Sequence, residues 1–123
     1  MTLKYFVLTI IVTFLLAVAQ VLVKLGVDNI GELHINIKTL ISDISPIISS
    51  YYLWLGAITV IVSSVLWMKV LSKVDLSVAY PLISISYIFG LLASKFILGE
   101  SISPVRWVGV GVIAIGIVLL TRG

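Results

Sequence analysis

The chain has 123 residues, of which 61% are hydrophobic and 11% charged, and its mean hydropathy is +1.29. A soluble domain of this size cannot bury so much apolar surface, so the composition indicates a membrane protein. Cysteine is absent, His34 is the one histidine and the net charge is only +3. These features argue against disulfides, thiol chemistry, a metal cluster and nucleic-acid binding, and we expect no metal and no cofactor, with membrane lipids as neighbours.

The first apolar run predicts a transmembrane helix over residues 3–25. At about 100° per residue, its polar side chains fall within an arc of about 60°. They are Thr9, Thr13, Gln20 and Lys24. Lys4, the apolar run and the small residues "AVAQ" also resemble a cleavable signal peptide. We favour a retained helix, because the run continues to Val23 and cleavage would leave three spans.

The long connection of residues 28–50 carries a helical amphipathic pattern. Apolar residues on one side oppose polar residues on the other: Ile37, Leu40, Ile41 and Ile44 against Lys38, Thr39, Ser42 and Asp43. The pattern predicts a helix lying on the membrane surface, with an ordered loop as the alternative. A second span is predicted over residues 46–71, with Ser45 as N-cap and Pro46 in its first turn. One face of it carries Tyr52, Gly56, Thr59, Ser63 and Trp67.

The third predicted span, residues 75–98, is unusually polar for a membrane helix. Six of its polar residues, but not Ser86, share an arc of about 100° and a length of about 27 Å. They are Ser77, Tyr80, Ser84, Tyr87, Ser94 and Lys95. Pro81 cannot donate a backbone hydrogen bond to the Ser77 carbonyl, which predicts a kink and a free acceptor. The alternatives are a harmless first-turn proline and hydroxyls that serve only helix packing.

The fourth predicted span, residues 103–121, has arginines near its two ends and glycines on its faces. Gly109 and Gly116 share one face, which favours close helix packing, whereas Gly111 lies on another. Four short helices make a thin wall, so we expect a homodimer or a heterodimer with a similar small subunit. The predicted fold is an all-α membrane protein, an up-and-down bundle of four transmembrane helices with a possible interfacial helix in the first loop.

Cations converge at one end of the predicted bundle. Lys24, Lys95 and Arg106 lie beside the polar stripes, an arrangement that suits a phosphate. Snorkelling of the two lysines to water is the alternative. The residues we expect to contact substrate are Gln20, Lys24, Tyr80, Ser84, Tyr87, Lys95, Glu100 and Arg106. We expect no catalytic residues, since no histidine–acid pair, metal motif or activated nucleophile is visible.

The four predicted spans put both termini on the same side of the membrane. Lysines and arginines divide evenly between the two sides, unless Lys24 and Lys95 belong to helix ends. In that case the positive-inside rule favours cytoplasmic termini, whereas an even division fits dual insertion.

Several segments carry a family resemblance: "LAVAQVLVKLGV", "LWLGAITVIVSSVLWMKVLSKVDLSVAYPLIS" and "SKFILGESISPVRWVGVGVIAIGIVLL". Together they resemble the drug/metabolite transporter superfamily, in particular its small four-helix branch and the flippase subunits for aminoarabinose linked to undecaprenyl phosphate. The resemblance implies a bacterial inner-membrane transporter that moves a polyprenyl-phosphate-linked sugar between leaflets.

Two other functions stay open at this stage. One is a non-transporting accessory subunit of a membrane complex. The other is an exporter of cationic compounds like the small multidrug resistance transporters, but the membrane-embedded glutamate that these carry in their first helix is absent from "TIIVTFLLAVAQVLV".

Overall fold

The computed structural model describes residues 2–31 and 40–123, and the regular elements in these ranges are all α-helices. They are α1 (Leu3–Ile30), α2 (Leu40–Ser49), α3 (Tyr51–Leu71), α4 (Leu76–Leu82), α5 (Ile85–Phe96) and α6 (Pro104–Arg122). Four stretches are long and apolar enough to cross a membrane: α1, α3, α4 together with α5, and α6. The predicted fold class, four spanning helices with a short helix between the first two, is confirmed.

The second span begins later than the sequence suggested. Ser50 has an extended backbone and its side chain accepts the Leu53 N–H at 3.4 Å, so Ser50 is the N-cap of α3. The prediction that Ser45 caps this span is wrong. Pro46 lies inside α2 and not in the first turn of the second span. The part of the predicted amphipathic pattern in residues 32–39 lies outside the described residues.

Helix α1 packs closely along α3, and two glycines allow the approach. A Cβ added at Gly56 would lie 3.0 Å from Val23 Cγ2 and 3.3 Å from the Ala19 carbonyl oxygen. A Cβ at Gly26 would lie 2.8 Å from Leu53 Cγ. These distances leave no room for a larger residue unless its neighbours move, so both glycines are packing residues.

The hydroxyls of the first two spans also serve packing. Thr9, Thr13 and Ser63 are fully buried. The Thr9 hydroxyl donates to the Tyr5 carbonyl at 2.8 Å, and Ser63 donates to the carbonyl of Thr59 in its own helix. Because these three side chains are fully buried between helices, their hydroxyls do not face a ligand site. These parts of the predicted stripes therefore follow the packing alternative rather than lining a groove.

The third span is interrupted at residues 83–84, shortly after Pro81. Helix α4 ends at Leu82 and α5 begins at Ile85. Across the interruption the backbone makes tight turns, in which Ser84 N–H donates to the Pro81 carbonyl and Tyr87 N–H to the Ser84 carbonyl, both at 3.0 Å. The polar stripe predicted along one continuous helix is therefore split between two helices.

Helix α6 is the least covered of the spans. Val105, Val108 and Leu119 are 79%, 67% and 66% exposed. A Cβ added at Gly109 or Gly116 would meet no atom of the described residues within 4 Å. The predicted close packing at these glycines is thus absent within the described part of a single chain, and the face they occupy is open.

Candidate functional site

A polar pocket lies where the C-terminal half of α1 meets the end of α5. Its volume is about 240 Å³. Gln20 and Lys24 come from α1, Ser94 from α5, and Glu100 from the loop that follows. The remaining wall is apolar and consists of Ala17, Val21, Gly90 and Leu98. We call this cavity the polar pocket.

Local structure explains why these groups meet. Gln20 and Lys24 are four residues apart on α1, so their side chains lie on one face. The loop after α5 turns at Gly99, whose φ of 69° suits glycine. This turn lets the Glu100 N–H donate to the Ser94 carbonyl at 2.9 Å, which holds Glu100 at the end of α5 beside the pocket.

Lys24 has an acidic neighbour that the sequence analysis missed. Its Nζ lies 3.4 Å from Asp28 Oδ1, one helical turn further along α1, and the two side chains are 50% and 54% exposed. Exposed pairs with this spacing stabilise a helix by only about 0.3–0.5 kcal/mol, so an anionic ligand can compete for the lysine. The spacing of four residues was a visible signal for this pair.

Lys95 points elsewhere. Its Nζ lies 5.1 Å from the centroid of the Trp107 ring and 5.4 Å from that of Phe96, both within the range of a cation–π interaction. Among the described residues, Lys95 does not line the polar pocket. The arrangement expected from the sequence, in which Lys24 and Lys95 face one cavity, differs from the observed geometry because the aromatic rings at the α5–α6 junction attract the second ammonium group.

The other predicted site residues also lie outside the polar pocket. Tyr80 lines a separate open depression with Leu76, Ser77 and Pro81. Tyr87 is 61% exposed, and Ser84 is at the interruption between α4 and α5. Arg106 is exposed in the first turn of α6. The structure thus brings together Gln20, Lys24 and Glu100, with Ser94 from the predicted hydroxyl stripe.

An apolar cavity of about 380 Å³ adjoins the polar pocket and shares Ala17 and Val21 with it. Its lining comes entirely from α1, α5 and the residue after α5: Phe14, Ala17, Val18, Val21, Leu22, Phe89, Leu92, Ala93, Phe96 and Ile97. Phe14 and Phe89 meet edge to face, with ring centroids 5.5 Å apart. We call this cavity the apolar groove. The pattern of polar side chains does not reveal this cavity, because every lining residue is apolar.

Four stretches that are long and apolar enough to cross a membrane define a multi-pass membrane protein, and its polar pocket lies between two of them. The model of the EamA-like transporter family matches residues 3–122, which is nearly the whole chain. The chain belongs to the EamA-like transporter family, as the sequence resemblance predicted.

Similar proteins are named as flippase subunits. One relative is the probable 4-amino-4-deoxy-L-arabinose-phosphoundecaprenol flippase subunit ArnE of Hamiltonella defensa. The chain is 36% identical to it over 73 residues, and this stretch covers 58% of this chain and 66% of the relative. The protein of the same name from Pseudomonas fluorescens is 33% identical over 59% of this chain and 64% of its own length. The protein of the same name from an Enterobacter species is 44% identical over 54% of this chain and 64% of its own length.

The matched stretch spans slightly less than two thirds of each of these relatives. No solved structure matches the chain.

Proposed function

We propose that the protein is a transporter subunit that moves a polyprenyl-phosphate-linked sugar between the leaflets of a bacterial cytoplasmic membrane. The observation that carries the proposal is the polar pocket, where Gln20 and Lys24 of α1 meet Ser94 and Glu100 at the end of α5. In an otherwise apolar bundle, convergent polar groups from two helices are the expected site for a polar headgroup.

In this proposal Lys24 binds the lipid phosphate. Its ammonium group makes charge-assisted hydrogen bonds to phosphate oxygens and exchanges its contact with Asp28 for them. Gln20 can donate to a phosphate oxygen or a sugar hydroxyl and can also accept from a hydroxyl. Glu100 accepts hydrogen bonds from the sugar, and its negative charge favours a sugar that carries an amino group. The relatives' names specify such an amino sugar.

The chemistry of this pocket favours our proposal over export of a cationic compound and over catalysis. Glu100 is the only acid among the described residues that line the pocket, and Lys24 lines the same pocket. The positive charge of Lys24 disfavours a purely cationic cargo. No pairing of a nucleophile with a base occurs among the pocket's described residues, so binding and movement explain them better than catalysis.

A partner subunit belongs to the same proposal. The open face of α6, with Gly109 and Gly116 on it, is a surface that a second small subunit can cover. The relatives' names contain the word "subunit", which agrees with a dimer of like or similar chains. Lys95 and Trp107 join α5 to α6 and thereby connect this surface to the helix that carries Ser94.

The test is the sidedness of an aminoarabinosyl polyprenyl phosphate in proteoliposomes, followed by access of the amino group to an impermeant acylating reagent. We expect vesicles with the protein to equilibrate the lipid faster than protein-free vesicles, and Lys24→Ala to remove the increase. Lys69→Ala is the matched control, because Lys69 is an exposed lysine at the opposite end of the spans. Equal rates with and without protein, alone and with a candidate partner subunit, contradict the proposal.

A further inference from the structure

We infer that α2 lies in the membrane interface at the polar-pocket end of the bundle, with one apolar face among the lipid acyl chains, and that it thereby holds the polar pocket at the depth of the lipid phosphates. The partner of this helix is the lipid surface itself. The sequence left an interfacial helix and an ordered loop open for this part of the chain, and the structure forms a helix over Leu40–Ser49. The placement suits a transporter and any other membrane role, so it does not depend on the proposed function.

The two faces of α2 differ in chemistry. At about 100° per residue, three isoleucines share an arc of about 100°, and three serines share an arc of about 60° on the opposite side. The two sets are Ile44, Ile47 and Ile48, and Ser42, Ser45 and Ser49. All six side chains are exposed, so the described part of the chain leaves the apolar face open. A helix with opposed faces of this kind is typical of the boundary between water and lipid.

The start of α3 places this open face at the edge of the bilayer. Helix α2 ends at Ser49, and the spanning helix α3 begins two residues later, at Tyr51. Ser50 between them has an extended backbone, so α2 is a separate helix and not a continuation of the span. The indole N–H of Trp54 donates to the Ile48 carbonyl, which ties the last turn of α2 to the first turn of α3. Tyr51 and Trp54 are exposed, and such side chains are typical of the membrane interface, where acyl chains are the nearest apolar cover.

Helix α2 and the polar pocket also lie at the same depth. A Cβ added at Gly26 of α1 would lie 3.2 Å from Ser50 Oγ and 2.8 Å from Leu53 Cγ, so the junction of α2 and α3 is beside Gly26. Lys24 precedes Gly26 by two residues, which is about 3 Å along the axis of α1. An interfacial helix buries its apolar face roughly 5–10 Å into the boundary between headgroups and acyl chains. A bundle held at this level by α2 presents Lys24 to the layer of lipid phosphates.

The experiment measures the depth of a spin label on the full chain in nanodiscs of phosphatidylcholine and phosphatidylglycerol. The chain has no cysteine, so a nitroxide can be attached to one introduced cysteine at a time. It is placed in turn at each isoleucine and each serine of the two α2 faces. Collisions with oxygen, which concentrates among acyl chains, are compared with collisions with a water-soluble nickel chelate. Ile61, exposed near the middle of α3, and Ser101, exposed in a loop, provide the lipid and water references.

We expect labels on the isoleucine face to collide more often with oxygen than with the chelate, at a depth of about 5–10 Å, and labels on the serine face to show the reverse. A label replacing Lys24 should lie at the depth of the phosphates. Replacing Ile47 and Ile48 together by serine should move that label toward water. Replacing Ser45 and Ser49 together by asparagine is the matched control and should leave its depth unchanged.

Three results would overturn the proposal. Preferential collision of the isoleucine labels with the chelate would place α2 in water, and little collision with either reagent would place this face against protein, such as a partner subunit. A label at position 24 that behaves like the one at Ile61, or that stays in place when the isoleucines are replaced, would mean that α2 does not hold the pocket at phosphate depth. If lipid binding still depends on Lys24 in any of these cases, the proposed function stands. If α2 is interfacial but no polyprenyl phosphate binds, only the proposed function is wrong.

Discussion

The ammonium nitrogen of Lys95 lies 5.1 Å from the ring centroid of Trp107, which ties the last turn of α5 to the first turn of α6. The other lysine of the predicted phosphate site, Lys24, instead lies beside Asp28 and lines the polar pocket. Two lysines that are equivalent in the sequence pattern therefore have different surroundings in the structure.

The first prediction separates these two lysines. Lys24→Ala should weaken binding of undecaprenyl phosphate by about tenfold or more, because a hydrogen bond to a charged group contributes about 1.5–3 kcal/mol. Lys95→Ala should have a clearly smaller effect, since its ammonium group faces an aromatic ring rather than the pocket. Both can be measured in nanodiscs, with Lys24→Arg expected to retain part of the affinity. If the two alanine variants lose the same affinity for undecaprenyl phosphate, Lys95 contributes to the phosphate site as much as Lys24 does.

The second prediction concerns the α1–α3 interface. Gly56→Leu should destabilise the bundle by about 1–3 kcal/mol, because even a Cβ there lies 3.0 Å from Val23 and 3.3 Å from the Ala19 backbone. Gly111→Leu is the control, since a Cβ at Gly111 meets no atom of the described residues within 4 Å. Thermal unfolding in detergent provides the comparison. Equal midpoints for the two variants would mean that the close approach of α1 and α3 is not required.

Much of this fold was predictable from the sequence, and the reasons are physical. Long apolar runs must become helices in a bilayer, so the spans followed directly from composition. Pro81 predicted an irregularity in the third span, because proline lacks the N–H that would bond to the Ser77 carbonyl. The observed interruption lies at residues 83–84, after the proline, so its position was not predicted. The N-cap was harder, since Ser45 and Ser50 both have the chemistry of a cap and only tertiary structure selects Ser50.

The site was only partly predictable. The spacing of four residues correctly predicted that Gln20 and Lys24 lie on one face of α1. The same periodicity does not show which hydroxyls face a neighbouring helix. Thr9 and Thr13 lie on the same predicted stripe as Gln20 and Lys24, but they are fully buried. Helix packing and ligand binding use the same residue types in membranes, so the sequence pattern does not distinguish the two. The direction of Lys95 depends on Trp107, a residue twelve positions away and on another helix, and helical periodicity carries no information about such a contact.

The third prediction concerns assembly. The α6 face that carries Gly109 and Gly116 is open in a single chain, so Gly116→Leu should weaken association with a like or similar subunit. Gly111→Leu, on a different face of the same helix, should change association less. Cross-linking yields in mild detergent measure the effect. If the chain and a similar small subunit remain monomeric together, before and after the substitution, the predicted dimer is wrong.

The fourth prediction concerns orientation in the membrane. With cytoplasmic termini, single cysteines replacing Thr2, Asp75 or Gly123 should be protected from an impermeant thiol reagent outside intact cells, and one replacing Ser101 should be labelled. These positions are exposed and lie at opposite ends of the spans, and the chain has no other cysteine to interfere. Labelling at both ends in one population would instead indicate dual insertion, which the even division of lysines and arginines also permits.

The last prediction addresses selectivity for the sugar, and it follows from the position of Glu100. This carboxylate is held at the end of α5 by the backbone bond to Ser94 and lines the same pocket as Lys24. A headgroup with a phosphate and an amino group places opposite charges where the pocket has the complementary ones. Glu100→Gln keeps the size and an acceptor oxygen but removes the negative charge.

This variant should therefore lower affinity for an aminoarabinosyl polyprenyl phosphate by about tenfold, in line with the loss of a charged hydrogen-bond partner. The arabinosyl lipid, which lacks the amino group, should bind almost as before. Asp75→Asn is the control, because Asp75 is an exposed acid at the opposite end of the third span. Competition between the two lipids for a fluorescent polyprenyl phosphate gives both affinities in one assay. If Glu100→Gln lowers both affinities equally, Glu100 supports the pocket without recognising the amino group.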